Sequence, residues 1–244
     1  MNLYFLVEGS TESEFYPKFI QYYFDGKLNR IDSYANANAN ANNYYLIGCD
    51  GYPYIFTGSQ KPGYDVTALK SAIQEVNENP VYDYLILCLD ADETSIAERT
   101  TEFQSYIEKY KKEGIILNEY CQFVIIVQNR CIETWFLGNK KMYSTNPNDE
   151  RLISFSRYFN VKKKDPEQMG NYRPEYTHQD FHLQYLRAML REKRKTYRKE
   201  DLVNTVATDE YIQELEKRIQ GKENHLYSLA DFIAFCKNIK DKLV

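Results

Sequence analysis

"YDYLILCLDADE", residues 82–93, decides how the chain is read. An apolar run of strand length, without polar alternation, suits a strand buried on both faces, as in a parallel sheet. This one ends in Asp90, Asp92 and Glu93. Neighbouring carboxylates repel, and a desolvated carboxylate is costly. Water, a basic partner or a divalent cation must compensate them.

The same grammar extends outward on both sides. "LYFLV" (3–7) is a second buried-strand run and stops at Glu8-Gly9. A helix is expected over 10–24, with Phe15, Phe19 and Tyr23 on one face, Thr11 and Glu14 as a capping box, and Pro17 shifting its start or kinking it. "ANANANANN" (35–43) reads as a low-complexity surface loop, 44–51 as a strand, and 51–65 as a Gly/Pro/Tyr-rich loop. Helices are expected over 66–79 and over 95–114, the latter closed by Gly114, with a strand over 120–129 and "RCIETWFLG" (130–138) directly after it. Strand–helix alternation of this kind implies an α/β fold with a mainly parallel sheet flanked by helices. After Gly138 the chain turns polar and then largely helical, at 150–159, 180–200, 208–220 and 228–240. The expected division is a core over 1–140 and a helical extension over 141–244.

The chain has 244 residues and a formal net charge of −4, so no global basic field attracts nucleic acid and any such contact must be local. Five scattered cysteines with no C-x-x-C pair fit reduced thiols and a cytoplasmic setting. "MNLYFLVEG" lacks the basic start of a signal peptide, and no apolar run is long enough to span a bilayer.

In parallel α/β sheets the functional crevice lies at the carboxyl ends of strands. Two strands here end in acid, one at Glu8 and one at Asp90-Ala91-Asp92. Period-two alternation places Asp90 and Asp92 on one face, and Gly9 is expected to let the chain turn sharply off its strand. Three oxygen ligands with water in the remaining positions suit Mg²⁺ or Mn²⁺ rather than Zn²⁺. A carboxylate at a strand end often only caps the next helix. The joint pattern, acid-Gly after the first strand and D-x-D after a later one, carries the inference.

"YFLVEGSTESEFYPKFI" together with "YLILCLDADE" resembles the TOPRIM domain of topoisomerases, primases and OLD-family nucleases, and "VEG-x-TE" is similar to the OLD-type first motif. "CIETWFL" resembles a segment of small stand-alone TOPRIM-like proteins, some encoded beside ATPases in phage-defence loci. The resemblance covers about residues 3–138. It implies metal ligands at Glu8, Asp90 and Asp92, and further catalytic acids at Glu12 and Glu133. Glu93 is expected in support or at a helix N-terminus. The implied activity is Mg²⁺-dependent cleavage of DNA or RNA phosphodiesters by a metal-activated water, and the implied setting is that of a phage-defence effector. The alternatives are a catalytically silent interaction module partnering an ATPase, or another metal-dependent phosphoryl-transfer enzyme.

One local basic cluster stands out. Arg187, Arg191, Arg194 and Arg198 recur at helical spacing with Lys193, Lys195 and Lys199 beside them, a face able to track nucleic-acid phosphates. A solvated face is the bland reading. Upstream, His178, Asp180 and His182 read as a core or helix-start segment, with Asp180 as N-cap and a spacing assigned to strand or loop. In 225–243, Ser228 is expected to cap a helix whose apolar face is Leu229, Phe232, Ile233, Cys236 and Ile239.

Overall fold

The structure is a computed structural model and describes residues 1–49, 51–57, 67–199 and 201–243. Its elements run β1 (Asn2–Val7), α1 (Ser10–Tyr23), β2 (Asn29–Arg30), β3 (Asn43–Gly48), α2 (Tyr54–Thr57), α3 (Ala68–Glu78), β4 (Tyr84–Asp90), α4 (Ile96–Lys112) and β5 (Gln122–Gln128). Then come α5 (Ile132–Phe136), α6 (Glu150–Tyr158), α7 (His178–Arg191), α8 (Asp209–Ile219) and α9 (Tyr227–Lys240). The expected loop over 51–65 contains α2; its residues 58–65 lie outside the described residues, as do Asp50, Val66 and Glu200 at the ends of other expected segments.

The alternation produces an all-parallel, five-stranded sheet in the order β2-β3-β1-β4-β5, with helices flanking it and a helical C-terminal region. The two-residue edge strand β2 was not expected; it is too short and too exposed to carry an apolar signal. The chain falls into two compact units, Met1–Leu89 with Ala97–Val127 and Asn238–Val244, and Asp90–Ile96 with Gln128–Lys237. Among the described residues no helix is long and apolar enough to cross a membrane.

In the first unit both faces of the sheet are buried, which is why β1 and β4 read as unbroken apolar runs. Tyr4, Leu6, Leu85, Leu87 and Leu89 pack with Leu69, Ile73 and Val76 of α3 and Phe103 and Tyr110 of α4. On the other face Phe5 meets Tyr16 of α1, and Cys88 is hydrogen-bonded to that same tyrosine. By strand alternation Asp90 shares the face of Cys88. Asn2 pins the start of the sheet, accepting from Asn43 Nδ2 at 2.9 Å and donating to the carbonyls of Asn38 and Val81.

Helix ends depart from expectation at α1 and agree at α4. Gly9 is the N-cap of α1, and no side chain caps it, so Thr11 and Glu14 form no capping box. Pro17 lies inside a continuous helix, where it removes the bond to the Ser13 carbonyl. Gly9 is extended at φ −148°, so no sharp glycine turn occurs there. A Cβ at Gly9 would lie 3.2 Å from Glu12 Oε2, and that close approach favours glycine. Gly114, at φ 80°, ends α4 as expected: its N–H bonds the Lys111 carbonyl at 3.1 Å, and Ile115 N–H bonds Tyr110 O at 2.9 Å.

The second unit is built around Trp135. Its ring stacks on Phe232 at 5.9 Å, and its Nε1 donates to Ser228 Oγ at 2.8 Å. Ser228 is therefore a buried node and not a cap; its hydroxyl also donates to Glu167 and accepts from Asn129 N–H. Arg218 is buried and donates to the carbonyls of Gly138 at 2.9 Å and Lys164 at 2.7 Å. A Cβ at Gly138 would sit 2.4 Å from Leu226 Cδ1 and 2.7 Å from the Trp135 carbonyl. Gly138→Ala is expected to lower unfolding free energy by about 1–3 kcal/mol through this overpacking. A urea midpoint equal to that of the parent chain would show that the site relaxes freely.

Candidate functional site

β4 delivers its acids to the chain that follows it. Asp90, the last residue of the strand, is only 5% exposed. Ala91 N–H bonds Gln128 O at 2.9 Å and Asp92 N–H bonds Arg130 O at 2.8 Å, so the segment beyond β4 stays tied to the segment beyond β5. The strand geometry itself does not continue. Asp92 is left-handed, at φ 52°, and so is Arg130, at φ 69°. The expectation that Asp90 and Asp92 point the same way by strand alternation is therefore corrected: Asp92 lies in a turn, closed by Thr94 N–H to Ala91 O at 3.0 Å. Aspartate tolerates this conformation; arginine adopts it at a cost that the surrounding bonds must offset. Arg130 Nη1 supplies them by donating to the carbonyls of Asp92 at 3.2 Å and Thr94 at 2.9 Å.

Glu93 takes up the N-terminus of α7. One carboxylate oxygen accepts the His178 backbone N–H at 2.7 Å and the other meets His178 Nδ1 at 2.6 Å. Partial burial raises the Glu93 pKa, but the bonds and charge of His178, with a bond from Asn171, outweigh it and hold the carboxyl below its ordinary value. With Nδ1–H donating to the Glu93 carboxylate, Nε2 is the ring nitrogen left outside that pair. One turn on, His182 is buried and its Nδ1 pairs with Thr134 Oγ1 at 2.7 Å. Burial, chiefly, and then the neighbouring His178 push its pKa down to about 3, so it is neutral.

Asp90 and Glu133 act on a common neighbour. The buried Cys131 thiol is pushed well up by desolvation first, then by the charges of Glu133 and Asp90. Glu133 is itself buried and accepts Tyr197 OH at 3.0 Å. In the first unit, Glu8 directly follows β1, the hydrogen-bonded neighbour of β4. Glu12 is buried on α1; burial is the main reason the Cys88 thiol rises to about 12, with Glu12 adding to it.

The basic stretch does not form one helical face. α7 ends at Arg191, with Glu192 as C-cap. Arg194, at φ 55°, reverses the chain: its N–H bonds Arg191 O at 2.8 Å, and Lys195 N–H bonds Leu190 O at 3.0 Å. Glycine usually fills such a position, so nothing in the sequence signalled the stop. The reversal lets Tyr197 turn inward to Glu133. Arg187 and Arg191 remain on α7, with Arg191 paired to Asp149 at 2.9 Å, whereas Lys193, Arg194, Lys195, Arg198 and Lys199 lie beyond the helix. Lys195 Nζ reaches the Asn204 carbonyl at 3.4 Å.

His178, Arg130 and the partner role of Glu93 were not recognised in the sequence. The signal was present: His178 and His182 are four apart, which is one helix face and not the strand or loop spacing first assigned. Thr177, not Asp180, is the N-cap, accepting Asp180 N–H at 3.0 Å.

By donor type, Glu8, Asp90 and Asp92 suit a hard divalent cation. Among the described residues, however, no three His, Cys, Asp or Glu side chains are grouped closely enough to hold a metal ion. Comparison with protein-family models, curated proteins and solved structures finds no match.

A group held neutral at pKa about 3 in the fold and at 6.5 when unfolded makes stability pH-dependent. Between those values the unfolded chain binds the extra proton. Stability is therefore complete above pH 6.5 and falls as pH drops, by about 1.4 kcal/mol per unit. His182→Asn should flatten this acid limb when urea midpoints are compared near pH 7 and pH 5. Equal pH slopes for both chains would mean that His182 is not the group responsible.

Proposed function

We propose that the protein is a divalent-metal-dependent phosphodiester hydrolase acting on DNA or RNA, with the TOPRIM-like arrangement its acidic motifs resemble. The observation that carries this reading is topological. In the order β2-β3-β1-β4-β5 the chain reverses direction across the sheet between β1 and β4. Ligands of open α/β sheets bind outside the carboxyl ends of strands at such a switch point. Here the residue after β1 is Glu8 and the last residue of β4 is Asp90.

In this reading Asp90, Asp92 and Glu8 are the residues that would hold Mg²⁺ or Mn²⁺. A cation there would supply an activated water and neutralise phosphate charge. The chain's own groups do the rest. Glu93 fixes the tautomer and orientation of His178, whose Nε2 accepts the proton of the attacking water. Arg130 holds the turn that presents Asp92. Glu12 and Glu133 are buried acids whose charge favours cation binding; Tyr197 fixes the orientation of Glu133. Neutral His182 adds no positive charge to compete with the cation.

Plasmid DNA and a mixed tRNA pool, incubated with the protein in EDTA, Mg²⁺ or Mn²⁺, test the proposal. Cleavage is expected only with metal, abolished by Asp90→Asn and reduced roughly a hundredfold by His178→Ala, with circular dichroism confirming that both variants fold. Cleavage that persists in EDTA or in Asp90→Asn would overturn it. Metal binding without cleavage of either substrate would move the reading to an interaction module.

A further inference from the structure

A second site lies in the helical unit. Phe155 and Ser154 of α6 (Glu150–Tyr158), Tyr172, Arg173 and Tyr176 of the following loop, and Gln184 of α7 line a cavity of about 540 Å³. That size falls within the range of small-molecule sites. Its floor is an aromatic cluster. Tyr172 stacks on Phe181 at 5.3 Å, with Phe155 edge-on to both at 5.2 Å. Ser154 Oγ and Tyr172 OH are 2.5 Å apart, which fixes the tyrosine plane.

The rim is cationic. The Arg173 guanidinium lies 5.0 Å from the Tyr172 ring centre, and its pairing with Glu175 is long, at 3.8 Å. Arg151 also lines the cavity, is exposed, and among the described residues its side chain forms no ion pair. Glu150 lines the same cavity and opposes an anion there, so the anionic part of a ligand belongs on the Arg151 and Arg173 side. Half-buried Tyr176 offers a further ring at the wall.

Aromatic rings, a guanidinium plane, an amide and a free arginine together match one ligand chemistry. We propose that this cavity binds a single nucleotide, its base stacked on the Tyr176 ring, its edge hydrogen-bonded by Gln184, and its phosphate held on the Arg151 and Arg173 side. Bases stack on aromatic and guanidinium planes with little sequence preference. The nucleotide comes either from a single strand or from a free mononucleotide. The assignment rests on the hydrolase reading only in taking nucleic acid as a ligand source.

Binding is read in EDTA, so it needs no cleavage. Anisotropy of labelled single-stranded DNA and RNA oligonucleotides is measured with the full chain, beside calorimetry with AMP and UMP. Tyr176→Ala is expected to weaken binding roughly tenfold and Tyr176→Phe to restore it. Arg151→Ala is expected to weaken it several-fold and to lower the slope of log affinity on log salt by about one. Lys237→Ala, on the exposed side of α9, is the charge control. Tight oligonucleotide binding with weak AMP binding assigns the single strand; comparable affinities assign the free nucleotide. No binding by the parent chain, or equal binding by Arg151→Ala and the control, overturns the proposal. Binding without metal-dependent cleavage leaves the cavity assigned and removes the hydrolase reading; cleavage without this binding does the reverse.

Discussion

An apolar strand buried on both faces that ends in carboxylates must give them partners or turn out of the core. β4 ends at Asp90, which is still buried at 5% exposed, and the chain turns left-handed two residues on, at Asp92. Much of the polar architecture around it follows. Arg130 takes its own left-handed conformation and donates to two carbonyls of the turn. Glu93, the next acid, leaves the turn as the acceptor that starts α7. The seven residues 90–96 thus belong with Gln128–Lys237 by their bonds as well as by compactness. Such concentrated strain is stored where surrounding bonds over-determine it, and it clusters at functional sites.

Several buried polar groups of the helical unit are satisfied in small closed sets. Glu167 has its pKa raised, burial outweighing its bonds to Ser228 and Asn129. Arg218 is lowered to about 10 by desolvation, although Asp165 and Glu223 favour its charge. Replacing one member of such a set leaves its partner buried without compensation, which costs more than the bond itself is worth. These sets fix where Gly138, Lys164 and Ser228 meet. A core of apolar contacts alone would tolerate several registers there.

The fold was legible because its signals were of the strong kind. β1 and β4 are apolar on both faces, so they could be nothing but buried strands or buried helix fragments, and their length excluded the latter. α3 and α4 carried clear helical spacing, and Gly114 marked a stop. Two carboxylates at the β4 end were legible for the same reason: acids rarely close an apolar run. Side-chain direction was not. Strand alternation predicted a shared face for Asp90 and Asp92, but alternation holds only while the strand lasts, and β4 ends at Asp90.

What escaped the sequence depended on distant partners. Gly114 and Arg194 occupy the same position in the same helix-ending motif, yet only the glycine announces it. Arginine there accepts local strain because Tyr197, three residues on, reaches a buried carboxylate 64 residues away in the chain. The same distance hid the Glu93–His178 pair, whose members are 85 residues apart. Helical periodicity assumes that a run of polar residues continues its helix; a buried acceptor that needs a donor can end it. A buried carboxylate elsewhere in the chain is therefore what made the basic stretch misleading. Glu133 draws in Tyr197, and the arginines and lysines around it are left off the helix that their spacing described.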